Sequence, residues 1–163
     1  MAFDRRRAPA APTANVDPRT NIMEAWQERW STEESGSWTR RLIPDVRPWC
    51  TRSHGMMTNF HLTQFLSGHG CFGQYLHRIR KLDNPRCVDC LAPVNDAEHA
   101  VFLCDRWWRR RMELKASING PFTPETVVGK MLESRSNWSA VDQFVNEVLT
   151  MREAEERERQ RQD

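Results

Sequence analysis

CVDCLAPVNDAEHAVFLC, residues 87–104, gathers three of the chain's five cysteines and one of its five histidines into a single short stretch. The spacing is Cys-x2-Cys-x8-His-x4-Cys, formed by Cys87, Cys90, His99 and Cys104. Thiolate and imidazole are the donors that zinc takes in tetrahedral fours, and a Cys-x2-Cys pair is the usual sharp-turn half of such a site. His99 and Cys104 stand five apart, slightly more than one helical turn. Both reach one ion if a helix starts near His99 or loosens before Cys104. With all four positions filled by protein, no position is left for water, which points to one structural zinc rather than a catalytic one. Metal binding of this kind contributes about 10–16 kcal/mol, more than a small knuckle obtains from its own core. Cys50 and Cys71 have no such company and are expected to be small core residues.

Outward from the knuckle the periodicity is helical. On the N-terminal side, Phe72 to Arg80 reads as a helix with Tyr75, Leu76 and Ile79 on one side. Before it, a helix over Asn59 to Leu66 is stopped by the Gly68-His69-Gly70 turn. GSWTRRLIPDVRPW, residues 36–49, holds two prolines and is expected to be an irregular connection packed by Trp38, Leu42, Ile43 and Trp49. Ile22, Met23, Trp26 and Trp30 recur at helical spacing after a start at Asp17-Pro18, where proline suits a first turn. On the C-terminal side Asp96 is a good N-cap for the second half of the knuckle. Thr123-Pro124-Glu125 opens a helix over Thr126 to about Ser134. Ser136 or Asn137 caps the last helix, whose stripe is Val141, Phe144, Val145, Val148 and Leu149. The organisation expected is a flexible basic Pro/Ala linker over 1–20, helical regions over 21–83 and 106–151, the zinc knuckle over 84–105 and a charged tail over 152–163. That tail, REAEERERQRQD, reads as a solvated, frayed helix end. The fold class is all-α, a small helical domain with an embedded knuckle and disordered termini.

Composition narrows the function. Hydrophobic residues make up 39% of the 163 and charged ones 28%, so a core is modest and part of the chain is tail. No apolar run is long enough to span a membrane. The N-terminus lacks the apolar segment of a secretory signal, which favours an intracellular chain with reduced cysteines. The formal charge of +2 is uneven: residues 1–81 carry +5 and the remainder −3. Arginine supplies 21 of the 24 positive charges, and its planar fork suits phosphates and base edges. This permits a nucleic-acid partner without proving one.

Two catalytic chemistries use the same residue types. A zinc deaminase needs His-x-Glu upstream of Pro-Cys-x-x-Cys; here Arg86 separates Pro85 from Cys87 and the histidine comes afterwards. A nucleophilic Cys71 near His69 would need a base held in place by the fold, whereas a histidine across a glycine turn is usually part of the turn. Around the knuckle lie Arg78, Arg80 and Lys81, then Arg86, then DRWWRRR with Trp107, Trp108, Arg109, Arg110 and Arg111. Arginines there could neutralise phosphates while an indole stacks on a base. Equally, an indole could pack on the knuckle while the arginines face water. Both hold if one tryptophan is buried and its neighbour exposed.

In order along the chain stand WQERW (26–30), GSWTRRLIP (36–44), LTQFLSGHGCFGQYLHRI (62–79) and CVDC…EHAVFLCDRWWRRR. This set resembles the C-terminal region of reverse transcriptase polyproteins of non-LTR retrotransposons, LINE-like type-1 elements that insert in ribosomal RNA genes, over roughly residues 22–155. The resemblance implies that Cys87, Cys90, His99 and Cys104 match the family's downstream zinc ligands. It also implies endonuclease and polymerase domains upstream in the intact polyprotein, and action in the nucleus. Asp105 departs from the pattern, since proline often follows the last cysteine, and so leaves the path of the helix after Cys104 open. The chain carries no catalytic motif of its own. No Asp-Asp pair for a two-metal polymerase site occurs in it, and its acidic residues are dispersed or lie in the tail.

Two functions follow as expectations. In the first, a non-catalytic segment binds RNA template or target DNA through the arginines and tryptophans named above, beside the polymerase domain of the same polyprotein. In the second, zinc stabilises a helical interaction module whose last helix, Val141 to Leu149, binds a partner or another copy of itself.

Overall fold

The computed structural model describes residues 18–162, so most of the expected linker lies outside the described residues. Those residues form helices with no strand among them, as the periodicity predicts. The organising element is the last helix, α8 (Arg135–Gln162); α1 to α7 are Pro18–Thr32, Ser37–Leu42, Val46–Cys50, Phe60–Ser67, Gly73–Arg78, Trp108–Ser117 and Val127–Glu133. At 28 residues α8 is ~42 Å long. It packs against α4, α6, α7 and the knuckle. The stripe Val141, Phe144, Val145, Val148 and Leu149 is fully inside, between 0% and 4% exposed. It is thereby taken up by the chain's own core and is not a free surface for a partner.

Ser134, one residue ahead of the helix, supplies its cap: the extended Ser134 accepts the Asn137 N–H on its hydroxyl at 3.0 Å. The helix runs on through the charged tail, and the tail is not wholly solvated. Arg152 and Glu156 are 5% and 7% exposed because they continue the buried face one and two turns past Leu149.

Residues 36–49 also differ from expectation, forming two short helices. Pro44 sits between α2 and α3, and Pro48 falls in the first turn of α3, where the missing N–H costs nothing. Asp45 caps α3 by accepting the Arg47 N–H at 2.9 Å. α1 starts at Pro18 as predicted but rests lightly on this pair. Trp30 Nε1 donates to the Ile43 carbonyl at 2.7 Å, while Ile22 and Trp26 stay 53% and 56% exposed. No described helix is long and apolar enough to cross a membrane.

Aromatic rings tie the layers together. Trp38 of α2 meets Phe65 of α4 edge-on at 6.1 Å, Phe65 lies 5.9 Å from Phe102, and Phe102 lies 4.7 Å from Phe122, which reaches Phe144 of α8 at 5.7 Å. The predicted Gly-His-Gly stop is present. Gly68 ends α4 with φ +70°, and a Cβ there would lie 3.1 Å from the Trp38 ring. Glycine is therefore required twice over, by the left-handed turn and by the indole against it. Cys50 is exposed and Cys71 half-buried, so neither is the core residue expected.

Candidate metal centre

The knuckle begins where α5 ends its approach. Gly73 has no room for a side chain: a Cβ would meet the Pro85 and Arg86 carbonyl oxygens at 3.0 and 3.2 Å. The close passage lets the Gln74 N–H donate to the Asn95 carbonyl at 2.9 Å, while the Asn95 N–H donates to the Pro85 carbonyl at 2.8 Å. Between these anchors the Cys-x2-Cys loop closes on itself. The Cys87 N–H donates to Ala92 and the Leu91 N–H donates back to Cys87, with Leu91 in the left-handed region at φ +62°.

The second half resolves the five-residue interval between His99 and Cys104. Asp96 caps it as predicted, accepting the His99 N–H at 2.7 Å. His99–Leu103 is then one widened π-turn, closed by the Cys104 N–H donating to the His99 carbonyl at 2.8 Å. A π-turn sets residues five apart on one side, which an α-turn does not. The backbone breaks at Cys104 (φ −57°, ψ 125°) and restarts as a single 3-10 turn, Asp105–Trp107, leading into α6. Asp105 therefore opens a new turn and does not carry the helix through Cys104.

These constraints bring one donor atom each of Cys87, Cys90, His99 and Cys104 to within 4.8 Å of one another, a group that could hold a metal ion. Cys87 Sγ lies 3.9 Å from Cys104 Sγ, and Cys90 Sγ lies 3.3 Å from His99 Nε2. A tetrahedral ion with metal–sulfur bonds of about 2.3 Å has sulfur–sulfur edges of about 3.8 Å and sulfur–nitrogen edges of about 3.6 Å. The donor set fits. Cys87, His99 and Cys104 are buried and Cys90 half-buried.

The surroundings shape the donors' charge. Burial, reinforced by the nearby Arg152, holds His99 below its ordinary range, so its imidazole is neutral and able to donate a lone pair at neutral pH. Burial pushes the Cys104 thiol up to about 12, whereas at Cys87 N–H donors from Cys90 and Asp89 outweigh burial and lower it.

Three arginines bolt the knuckle to the helices. Arg106 donates to Asp89 at 2.6 Å and to both Glu155 oxygens, and Arg152 reaches the other Asp89 oxygen at 3.3 Å. Arg111 is 6% exposed and donates to the Cys104 carbonyl at 2.6 Å. Sequence reasoning missed Asp89, Arg106 and Arg152, because their partners lie far apart in the chain. It also placed Arg111 on a nucleic-acid face, whereas its guanidinium is internal because the carbonyl freed by the break at Cys104 needs a donor.

The remaining expected contact residues divide. Trp107 is 4% exposed and Trp108 61%, so one indole packs inside and the other faces out. Arg110 is engaged by Glu147 and Glu113 at 2.5 and 2.6 Å. Arg78, Arg80, Lys81, Arg86 and Arg109 are exposed. Arg80, left-handed at φ +60°, turns the chain after α5, where the Lys81 N–H donates to the Leu76 carbonyl at 2.8 Å. The structure therefore groups Arg78, Arg80 and Lys81 at the end of α5 that leads into the knuckle.

No protein-family model matches the chain, and no solved structure matches it. Curated proteins do. The chain is 29% identical over 143 residues to the retrovirus-related Pol polyprotein from type-1 retrotransposable element R1 2 of Nasonia vitripennis, covering 85% of the chain and 33% of that protein. It is 27% identical over 141 residues to the R1 4 polyprotein of the same organism, covering 85% and 36%. The R1 polyprotein of Bradysia coprophila is 32% identical over 83 residues, 51% of the chain and 8% of that protein. The chain thus spans about a third of the length of the first two. Over most of its length the chain is similar to a region of the Pol polyproteins of type-1 retrotransposable elements, and its Cys87-Cys90-His99-Cys104 cluster is compatible with the expected zinc knuckle.

Proposed function

We propose that this chain is a non-catalytic, nucleic-acid-binding segment of a retrotransposon reverse transcriptase polyprotein, organised by one structural zinc ion. The observation that carries the reading is the donor set, three sulfurs and one imidazole within 4.8 Å of one another, next to exposed arginines. Sulfur and nitrogen donors in a complete four favour zinc among common divalent ions and leave no position for substrate. Zinc would supply the bonds that fix the Cys-x2-Cys loop against the π-turn. The chain's own residues would do the binding: Arg78, Arg80, Lys81 and Arg86 before the loop, Trp108 and Arg109 after it. RNA and single-stranded DNA share the phosphates these cations would neutralise.

The test is the salt dependence of oligonucleotide binding. Replacing Arg78, Arg80, Lys81 and Arg86 with alanine should flatten the slope of log affinity against log salt by about 0.7 for each phosphate no longer neutralised. An unchanged slope contradicts the assignment.

A second reading, a zinc-stabilised interaction module, is favoured by Ile22, Trp26 and the apolar cleft of about 630 Å³ between α1 and α3. Docking there would engage the polymerase domain of the same polyprotein or a second copy of the chain. Light scattering over a range of concentrations distinguishes self-association, since a monomer throughout rules that version out.

A further inference from the structure

A cleft of about 620 Å³ opens between α2 and α5, bounded by Trp38, His69, Tyr75, Arg78, Asp96 and Glu98. Its walls carry several flat groups. The imidazole of His69 lies 4.9 Å from the Tyr75 ring at an interplanar angle of 35°, and the guanidinium of Arg78 sits 5.2 Å from the same ring. His69 and Arg78 are exposed and Tyr75 is half-buried, so these planar groups lie at the solvent boundary and not in the core. Trp38, by contrast, is fixed as the floor by its Nε1 donating to the Phe65 carbonyl at 2.8 Å.

We infer that this cleft receives one unpaired nucleobase of a single strand, stacked on the Tyr75–His69 pair. The inference rests on the nucleic-acid reading above and locates the base-contacting part of that surface. Stacking on aromatic rings and arginine planes is the general means by which proteins hold splayed-out bases, because every base offers a π face. The volume lies within the range of pockets that enclose small organic ligands.

The lining also carries hydrogen-bond acceptors already locked in place: Glu98 is held by Arg41 at 2.5 Å, and Asp96 accepts the His99 N–H. Anchored carboxylates accept from exocyclic amino groups, so a base carrying one fits better than uracil or thymine. Arg80 and Lys81, at the end of the same helix, are placed to take the phosphates as the strand leaves the cleft.

The experiment uses the full metal-loaded chain and fluorescently labelled single-stranded oligonucleotides, oligo(A) and oligo(U), with Tyr75→Leu and His69→Ala variants. The expected result is tighter binding of oligo(A), a loss of about tenfold in Tyr75→Leu and a smaller loss in His69→Ala, both with an unchanged salt slope. Stacking releases no counterions, so that slope separates it from a phosphate contact. His69 is exposed, and its replacement keeps the test valid should Tyr75→Leu fold poorly. Wild-type affinity in both variants, with the arginine-dependent salt slope intact, would overturn the base site alone. No binding of any oligonucleotide by the wild-type chain would overturn the nucleic-acid reading and this inference with it.

Discussion

The last helix and the knuckle, two neighbouring parts of one small domain, are held by opposite means. α8 turns a dense apolar stripe inward, and six of its residues are at most 4% exposed. In the Cys-x2-Cys half of the knuckle the apolar side chains point the wrong way for a core: Val88, Leu91 and Val94 are 53%, 72% and 38% exposed. What faces inward over the whole knuckle is Cys87, Cys104, His99 and Asn95, together with Ala97, Ala100 and Val101 of its second half. Apolar burial stabilises by roughly 25 cal/mol per Å², and the Cys-x2-Cys loop has little such area of its own to bury. The arginines bolt the knuckle to α6 and α8, and an ion held by the donor set would supply the remaining cohesion. The comparison teaches that a short loop with polar interior atoms can be as fixed as a core helix, provided something else supplies the cohesion.

The largest expected effect breaks one side of the comparison only. Removing metal with a chelator, or replacing Cys87 and Cys90 with serine, should erase amide protection over residues 84–105 while α7 and α8 keep theirs. Hydrogen exchange checks this, and uniform loss across α8 would mean the two regions are not separately held. Next, Leu149→Ala should cost about 2–5 kcal/mol in denaturant unfolding, since its side chain is fully buried. Metal content should survive that change. Arg111→Met should cost about 1–3 kcal/mol, because it strands the buried Cys104 carbonyl, and it should also weaken metal retention.

The smallest effect is that of pH. His99 titrates lower in the folded chain than its ordinary 6.5, so the unfolded chain binds its proton first as pH falls. Stability from the neutral imidazole is complete above that ordinary value and is lost as pH drops below it toward the folded pKa. Metal binding strengthens the same trend, since protons compete for the ligands. Melting temperature measured over this window should fall on acidification; a flat profile would contradict the role given to His99.

The grouping of Cys87, Cys90, His99 and Cys104 was legible because the spacing suited to metal coordination is one that chance seldom produces. α4, its Gly68 stop and the stripe of α8 were legible from period and turn chemistry. The burial of Arg152 and Glu156 could have been read too, because they extend the spacing of Val145, Val148 and Leu149, but a run of charges masks that continuation. The clamp of Arg106, Arg111 and Arg152 around the knuckle could not be read. Each arginine's partner is chosen by tertiary packing, and an exposed and an internal arginine look alike in a sequence. α2 and α3 were hidden by prolines that sit at a boundary and in a first turn, where they do no harm.

The central claim is that Cys87, Cys90, His99 and Cys104 close around one zinc ion. X-ray absorption spectroscopy of the purified chain, with native mass spectrometry to count the metal, tests it most directly. The account predicts one zinc per chain with three sulfurs at about 2.3 Å and one nitrogen at about 2.0 Å. A folded chain that binds no metal, or a shell dominated by oxygen, would contradict it.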